Sequence, residues 1–251
     1  MPLKETEAWY GGGLFELHIN TCGQVVKALK NKYNIPLLRS LLYEEYLSLL
    51  RLKELGFNVP KVYAYSSAEN TIIMEYINAQ ACKETYKRMV AKILKDLLMI
   101  GGESYGKCTL DRWLSDMKLK IKHYCNLYPV LQTVDFAKLF VMLDQNFCSS
   151  LVLDDWNWQN FLFCTDGIYY IIDNRVSQGD FLYNISGIMM ATEDIVDIST
   201  YSTSERYRIY IYILLKLMDQ YEQKKAFNFD TTNVEKKIKL IVTNLNTVLN
   251  Q

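Results

Sequence analysis

The chain has 251 residues, half of them hydrophobic, enough for one large domain or two tightly packed lobes. Lys plus Arg and Asp plus Glu both number 28, so no global field favours nucleic acid or an anionic membrane surface as a partner. The opening MPLKETEAWY has no apolar signal-peptide core, and the most apolar later stretch, Tyr207 to Met218, carries Arg208 and Lys216 and is too short to span a bilayer. The six cysteines include no C-x-x-C pair and only His18 and His123 could join them around a metal, so the expectation is free thiols in a soluble, cytoplasmic protein.

From Leu14 the residues alternate as LFELHIN, turn at Thr21, Cys22 and Gly23, and resume as QVVKALK, the pattern of a β-hairpin. Residues 36–55 place Leu and Tyr at helical spacing and stop at Gly56, the residue type that commonly lies just beyond a helix. Two β-like runs follow, VPKVYAY and NTIIMEYI, separated by SSAEN. Helical periodicity then governs Lys83 to Ile100, Thr109 to Tyr128 and Thr133 to Cys148. A dense block, SSLVLDDWNWQNFLFCTDGIYYIIDN, supplies two strand-type segments joined at Thr165, Asp166 and Gly167, and the chain is helical again from about Leu182. The expected architecture is α+β and bilobal, with a small β-rich lobe over residues 1–77 and a larger helical lobe over residues 78–251.

The segment richest in chemistry runs from Asp155 to Asn160, with Asp173 thirteen residues later at the end of the apolar YYIID. Phosphoryl transfer to a hydroxyl needs a carboxylate that orients the acceptor and takes its proton, and oxygen ligands for Mg²⁺ on the nucleotide phosphates. An Asp and an Asn five positions apart on a tight loop, with a second Asp from the adjoining hairpin, supply those parts. Asp155 is the expected base, and Asn160 and Asp173 are the expected metal ligands. Trp156 and Trp158 flank the loop and suit either an acceptor pocket or packing.

These elements resemble the kinase-like phosphotransferases, which include aminoglycoside phosphotransferases, choline kinases and related small-molecule kinases. The family's loop H-G-D-x-x-x-x-N matches Leu153-Asp154-Asp155 to Asn160, its hairpin end Ile-Asp matches Ile172-Asp173, and its G-D-P-x-x-D-x-A matches Gly179 to Ser186. Leu153 stands for the histidine, Asp154 for the glycine, Phe181 for the proline and Asn184 for the second aspartate. The resemblance implies a protein-kinase-like fold holding a Mg-nucleotide between its lobes.

It further implies that Lys27, in Val25-Val26-Lys27, pairs the nucleotide phosphates, and that a helix glutamate about eleven residues before the terminal glycine pairs that lysine. Glu45 has this spacing from Gly56, with Glu44 as its rival. Met74-Glu75-Tyr76-Ile77 resembles the hinge, where the backbone of Glu75 and Ile77 would read the base edge. Gly11, Gly12 and Gly13 fit either a phosphate-covering turn, where absent side chains let backbone N–H groups approach, or a plain glycine turn. Glu193, Asp194 and Asp197 fall where related enzymes build part of the acceptor site; Thr192 followed by acids equally suits a helix start.

The expected activity is therefore Mg-dependent transfer of a γ-phosphoryl group from ATP or GTP to a hydroxyl of an aminosugar, an amino alcohol or another sugar. Three other readings stand beside it: a catalytically impaired kinase-fold binding protein, favoured by the missing histidine, a kinase acting on a protein or lipopolysaccharide sugar, and an enzyme that transfers a nucleotidyl group instead. Asp180 comes only seven residues after Asp173, which leaves no room for the long activation loop of a regulated protein kinase.

Overall fold

The computed structural model describes residues 15–30, 36–101, 110–138, 140–141, 147–192, 196–226 and 228–249. In chain order the elements are β1 (Phe15–Ile19), β2 (Val25–Leu29), α1 (Pro36–Glu54), β3 (Val62–Ser66), β4 (Thr71–Met74), β5 (Gln80–Ala81), α2 (Lys83–Gly101) and α3 (Leu110–Leu127). They continue with β6 (Ser149–Leu153), β7 (Phe161–Phe163), β8 (Tyr169–Ile171), β9 (Val176–Asp180), α4 (Phe181–Ala191), α5 (Thr203–Ala226) and α6 (Thr232–Leu249). The chain divides into two compact units, one of residues 1–90 with 157–176 and the other of residues 91–156 with 177–251.

The first unit is built on an antiparallel sheet of order β1-β2-β4-β3, in which Lys27 pairs with Leu17 on one side and Ile72 on the other. The β1–β2 turn forms because the Asn20 carboxamide accepts from the Cys22 and Gln24 N–H groups, each at 3.0 Å, and Gly23 takes φ +73°. Helix α1 ends as its glycine predicts: Gly56 at φ +86° lets its own N–H reach the Lys53 carbonyl and the Phe57 N–H reach the Leu52 carbonyl, both at 3.0 Å. Leu42, Leu49 and Leu52 of this helix are buried, as are Ile72 and Met74 of β4. A second sheet, β5-β7-β8, turns at Gly167 (φ +81°), where Asp166 accepts from the Ile168 N–H.

The second unit is mainly helical. Its core joins Trp113, Met117 and Ile121 of α3, Leu182 and Ile185 of α4, the long apolar run of α5, and Val234, Ile238, Val242 and Leu245 of α6. This explains why Tyr207 to Met218 reads as apolar: α5 is the central helix, buried on nearly all sides. The two cations within that run, Arg208 and Lys216, are buried too, and Arg208 pairs with Asp180 at 3.1 Å. Among the described residues no helix is long and apolar enough to cross a membrane.

Two sequence expectations need correction. The helix expected over Thr133 to Cys148 has narrower bounds, its described helical residues being 136–138 and 140–141. Pro129–Thr133 is a 3-10 turn, and the Asp135 carboxylate accepts from the Lys138 N–H at 3.2 Å, the geometry of a fresh helix start. Phe147 and Cys148 already lie outside any helix. The β-like block holds three strands, β6, β7 and β8, where two were expected, and β9 was not anticipated, because VSQGD has no apolar alternation; it pairs with β6. Thr192 ends α4, donating its hydroxyl to the Ile188 carbonyl at 2.9 Å; the helix start considered after it falls on residues 193–195, outside the described residues.

Candidate active site

Lys27 projects from β2 into the interior of the first unit, with only 4% of its side chain exposed. Burying an ammonium is costly unless anions surround it. Two do: Glu45 of α1 accepts at 2.7 Å, and Asp173, in the segment after β8, accepts at 2.5 Å. Burial alone would drive the Lys27 ammonium toward neutrality, but the two carboxylates outweigh it and hold its pKa above the ordinary lysine value. Burial pushes Glu45 up to about 7 against the pull of Lys27, with Asp173 adding to the rise.

Helix α1 decides which glutamate faces inward. Glu45 is 5% exposed, whereas Glu44, one position round the helix, lies outside and accepts from Arg175 at 3.2 Å. Four residues after Glu44 the Ser48 hydroxyl accepts from the Val176 N–H at 3.0 Å. One helix thus grips the segment after β8 at Arg175 and Val176 and reaches Asp173 through Lys27.

Asp173 itself adopts φ +47°, a left-handed conformation that costs a non-glycine residue energy but that Asp tolerates better than most. Its side chain remains 57% exposed even though one oxygen is held by Lys27. Asn160 closes a 3-10 turn, Trp158–Asn160, capped by the Asn157 carboxamide. Its carbonyl accepts from the Ile172 N–H at 2.9 Å, which ties Asn160 to the peptide next to Asp173. The Asn160 amide nitrogen is buried with no hydrogen-bond partner among the described residues. A carboxylate and an amide oxygen are both hard donors of the kind that fits Mg²⁺. Asp173 and Asn160 are the residues that would hold it. Among the described residues no group of three or more His, Cys, Asp or Glu side chains suits a metal ion.

The backbone after β4 is partly committed. The Glu75 N–H donates to the Lys61 carbonyl at 2.8 Å, the Glu75 carboxylate accepts from the Lys61 N–H at 3.1 Å, and the Ile77 carbonyl accepts from Ala79 at 2.9 Å. No described residue takes the Glu75 carbonyl or the Ile77 N–H, an acceptor and a donor two residues apart. Gly11, Gly12, Gly13, Glu193 and Asp194 lie outside the described residues, and Asp197 is exposed and caps a short turn at Ser199.

Asp155 belongs to the second unit, on the loop that leaves β6, and its side chain is exposed. The loop is braced from below by Asn184 of α4, which is fully buried. The Asn184 carbonyl oxygen accepts from the Leu153 N–H at 3.0 Å and from the Trp156 indole at 3.2 Å. Its amide donates to the Leu151 carbonyl at 2.8 Å and to the Ser150 hydroxyl at 3.2 Å. All four contacts need an amide: an aspartate cannot donate to Leu151 unless protonated. Trp156 is 1% exposed and is core, while Trp158 is half-buried. Sequence reasoning treated Asn184 as a mere departure, and no local pattern marks its role.

The sequence matches no protein-family model and no curated protein. Solved structures do match over nearly the full chain. Choline kinase LicA from Streptococcus pneumoniae superposes with a TM-score of 0.67 at 18% identity, covering 97% of this chain and 95% of that one. A choline/ethanolamine kinase family protein from Mesorhizobium loti gives 0.65 at 13% identity, covering 100% and 89%. The chain has the kinase-like phosphotransferase fold. The aminoglycoside phosphotransferase APH(2")-IIa, solved as a ternary complex with streptomycin and ATP, extends the likeness at a TM-score of 0.57 and 15% identity, covering 96% and 91%. Within this α+β fold the Lys27–Glu45 pair and the hairpin end at Asp173 belong to one compact unit and the Asp155 loop to the other.

Proposed function

We propose that the chain is a Mg²⁺- and nucleotide-dependent phosphotransferase that moves a γ-phosphoryl group from ATP or GTP to a hydroxyl of a small-molecule acceptor, an aminosugar, an amino alcohol or another sugar. The observation that carries this reading is the buried Lys27 held between Glu45 and Asp173. A lysine so flanked stays charged and fixed in direction, as pairing with nucleotide phosphates requires. The neighbouring structures, among them kinases for choline and a phosphotransferase bound to streptomycin and ATP, support the acceptor class.

Each side chain then has one task. Lys27 holds the phosphates, and Glu45 holds Lys27. The Glu75 carbonyl and the Ile77 N–H read the base edge. Asp173 and Asn160 hold Mg²⁺, which when bound offsets the negative charge of the phosphates. Asp155 orients the acceptor hydroxyl and takes its proton as the oxygen bonds to the γ-phosphorus and the bond to the departing nucleoside diphosphate breaks.

The test is thermal unfolding with ATP or GTP and Mg²⁺, followed by transfer of labelled γ-phosphate to a panel of choline, ethanolamine, aminoglycosides and neutral sugars. At a hundredfold excess over the dissociation constant, ligation stabilises by about 2.7 kcal/mol, and Asp173→Ala should remove the Mg²⁺-dependent part of that shift. No stabilisation by any nucleotide at millimolar concentration overturns the proposal. Binding without transfer to any acceptor would leave the kinase-fold binding protein.

A further inference from the structure

Lys216 is one of two basic residues buried along α5, the other being Arg208. Lys216 is 7% exposed, and its ammonium lies 3.7 Å from the centre of the Tyr183 ring and donates to the Asp154 carbonyl at 3.2 Å. A methionine would fill the same space without desolvating a charge. A lysine here therefore costs stability, and the contact it makes lies one peptide before Asp155.

The loop around Asp155 is gripped at three backbone or ring positions. Leu153 and Trp156 are held by Asn184 and the Asp154 carbonyl by Lys216, while Asp154 and Asp155 are both exposed. Leu153 occupies the place of the family's loop histidine and is fully buried with no polar side-chain atom to give. A cation rising from α5 supplies a polar anchor that this leucine lacks.

We propose that Lys216 is a positioning residue of the transfer loop: its ammonium clamps the Asp154 carbonyl against the Tyr183 ring and so sets the peptide that carries the Asp155 carboxylate. The proposal rests on the reading of Asp155 as the base. The charged groups around the ammonium are Asp154 and Asp155 on the loop, Lys120 on α3 and Asp219 on α5; Asp219 is itself engaged by Lys120 and by the Tyr124 hydroxyl. Burial lowers Lys216 to about 8, with Asp154 and Asp155 opposing the fall and Lys120 adding to it. Loss of its proton in mildly alkaline solution would remove the positive charge that draws it to the carbonyl and the ring and so loosen the clamp.

The experiment compares the full-length wild type with Lys216→Met and Lys216→Arg by amide hydrogen exchange and by kinetics. In Lys216→Met, exchange at Asp155, Trp156 and Asn157 should accelerate about tenfold or more while α5 and α6 stay as protected as in the wild type. Turnover should fall on the order of tenfold to hundredfold with the nucleotide KM unchanged, the signature of a misplaced group and not of lost binding. Lys216→Arg should recover loop protection and lose the alkaline fall in rate that the wild type shows near pH 8. Unchanged loop exchange in Lys216→Met, or unchanged kcat in that variant, overturns the proposal. Should the methionine variant fail to fold, loop exchange in the wild type and in Lys216→Arg across pH 7 to 9 decides instead: a rise confined to the wild type supports the clamp, and none refutes it. A wild type that binds nucleotide but transfers to nothing would remove the assignment of Asp155 as base, and the exchange measurements would still judge the clamp.

Discussion

The Lys27 ammonium donates to the Glu45 carboxylate at 2.7 Å, with both side chains almost wholly buried. Breaking a buried pair by removing one partner typically costs about 3–5 kcal/mol. In Lys27→Met the stranded Glu45 can instead take a proton, so the loss should be smaller at pH 5 than at pH 8. Denaturant midpoints at the two pH values measure this, and nucleotide binding should weaken at both.

Glu45 also predicts a pH slope for the wild type. Its pKa in the folded protein is about 7 against an ordinary 4.5, because burial disfavours the charged form. The folded state thus binds this proton more tightly than the unfolded chain. The contribution is fully present below about pH 4.5 and is lost as the pH rises through about 7, at most on the order of 3 kcal/mol. The stability difference between wild type and Glu45→Gln should therefore shift against the wild type across that window and level off above it. A difference that is flat with pH would show that Glu45 is ionised throughout.

Asp155→Asn should leave nucleotide affinity nearly unchanged and slow transfer by about a hundredfold to ten-thousandfold, since the amide keeps the size and cannot accept a proton. Isothermal titration and acceptor-dependent turnover separate the two effects. Full turnover in the variant would move the base elsewhere, with Asp154 next in line.

Asn184→Asp puts a carboxylate among four partners, two of which are acceptors. The lost donation to the Leu151 carbonyl and the buried charge should cost about 1–3 kcal/mol or more, read as a lower urea midpoint. Stability equal to the wild type would show that the site takes up a proton and donates as the amide did.

Gly179→Ala should destabilise by about 1–3 kcal/mol. A Cβ there would collide with the Trp113 ring, which packs edge-on against Tyr183 and Tyr212 and cannot swing aside cheaply. Thermal unfolding checks it, and Trp113→Leu should recover part of the loss in the double variant.

Much of this protein was legible in its sequence because the relevant forces act within a few residues. The β1–β2 hairpin followed from alternation and a glycine turn, α1 from apolar spacing and Gly56, and the turn at Gly167 from its Thr-Asp-Gly. The order and spacing of Asp155, Asn160 and Asp173 were also visible, since they lie on one loop and one hairpin. Tertiary structure alone decided the rest. Glu44 and Glu45 are equivalent to any local rule, and only packing against the segment after β8 turns one to Lys27 and the other to Arg175. Strand β9 exists because β6 offers it a partner, not because its residues favour a strand. Asn184 and Lys216 reach a loop 31 and 62 residues earlier in the chain, and a contact of that separation leaves no periodicity for a sequence to show.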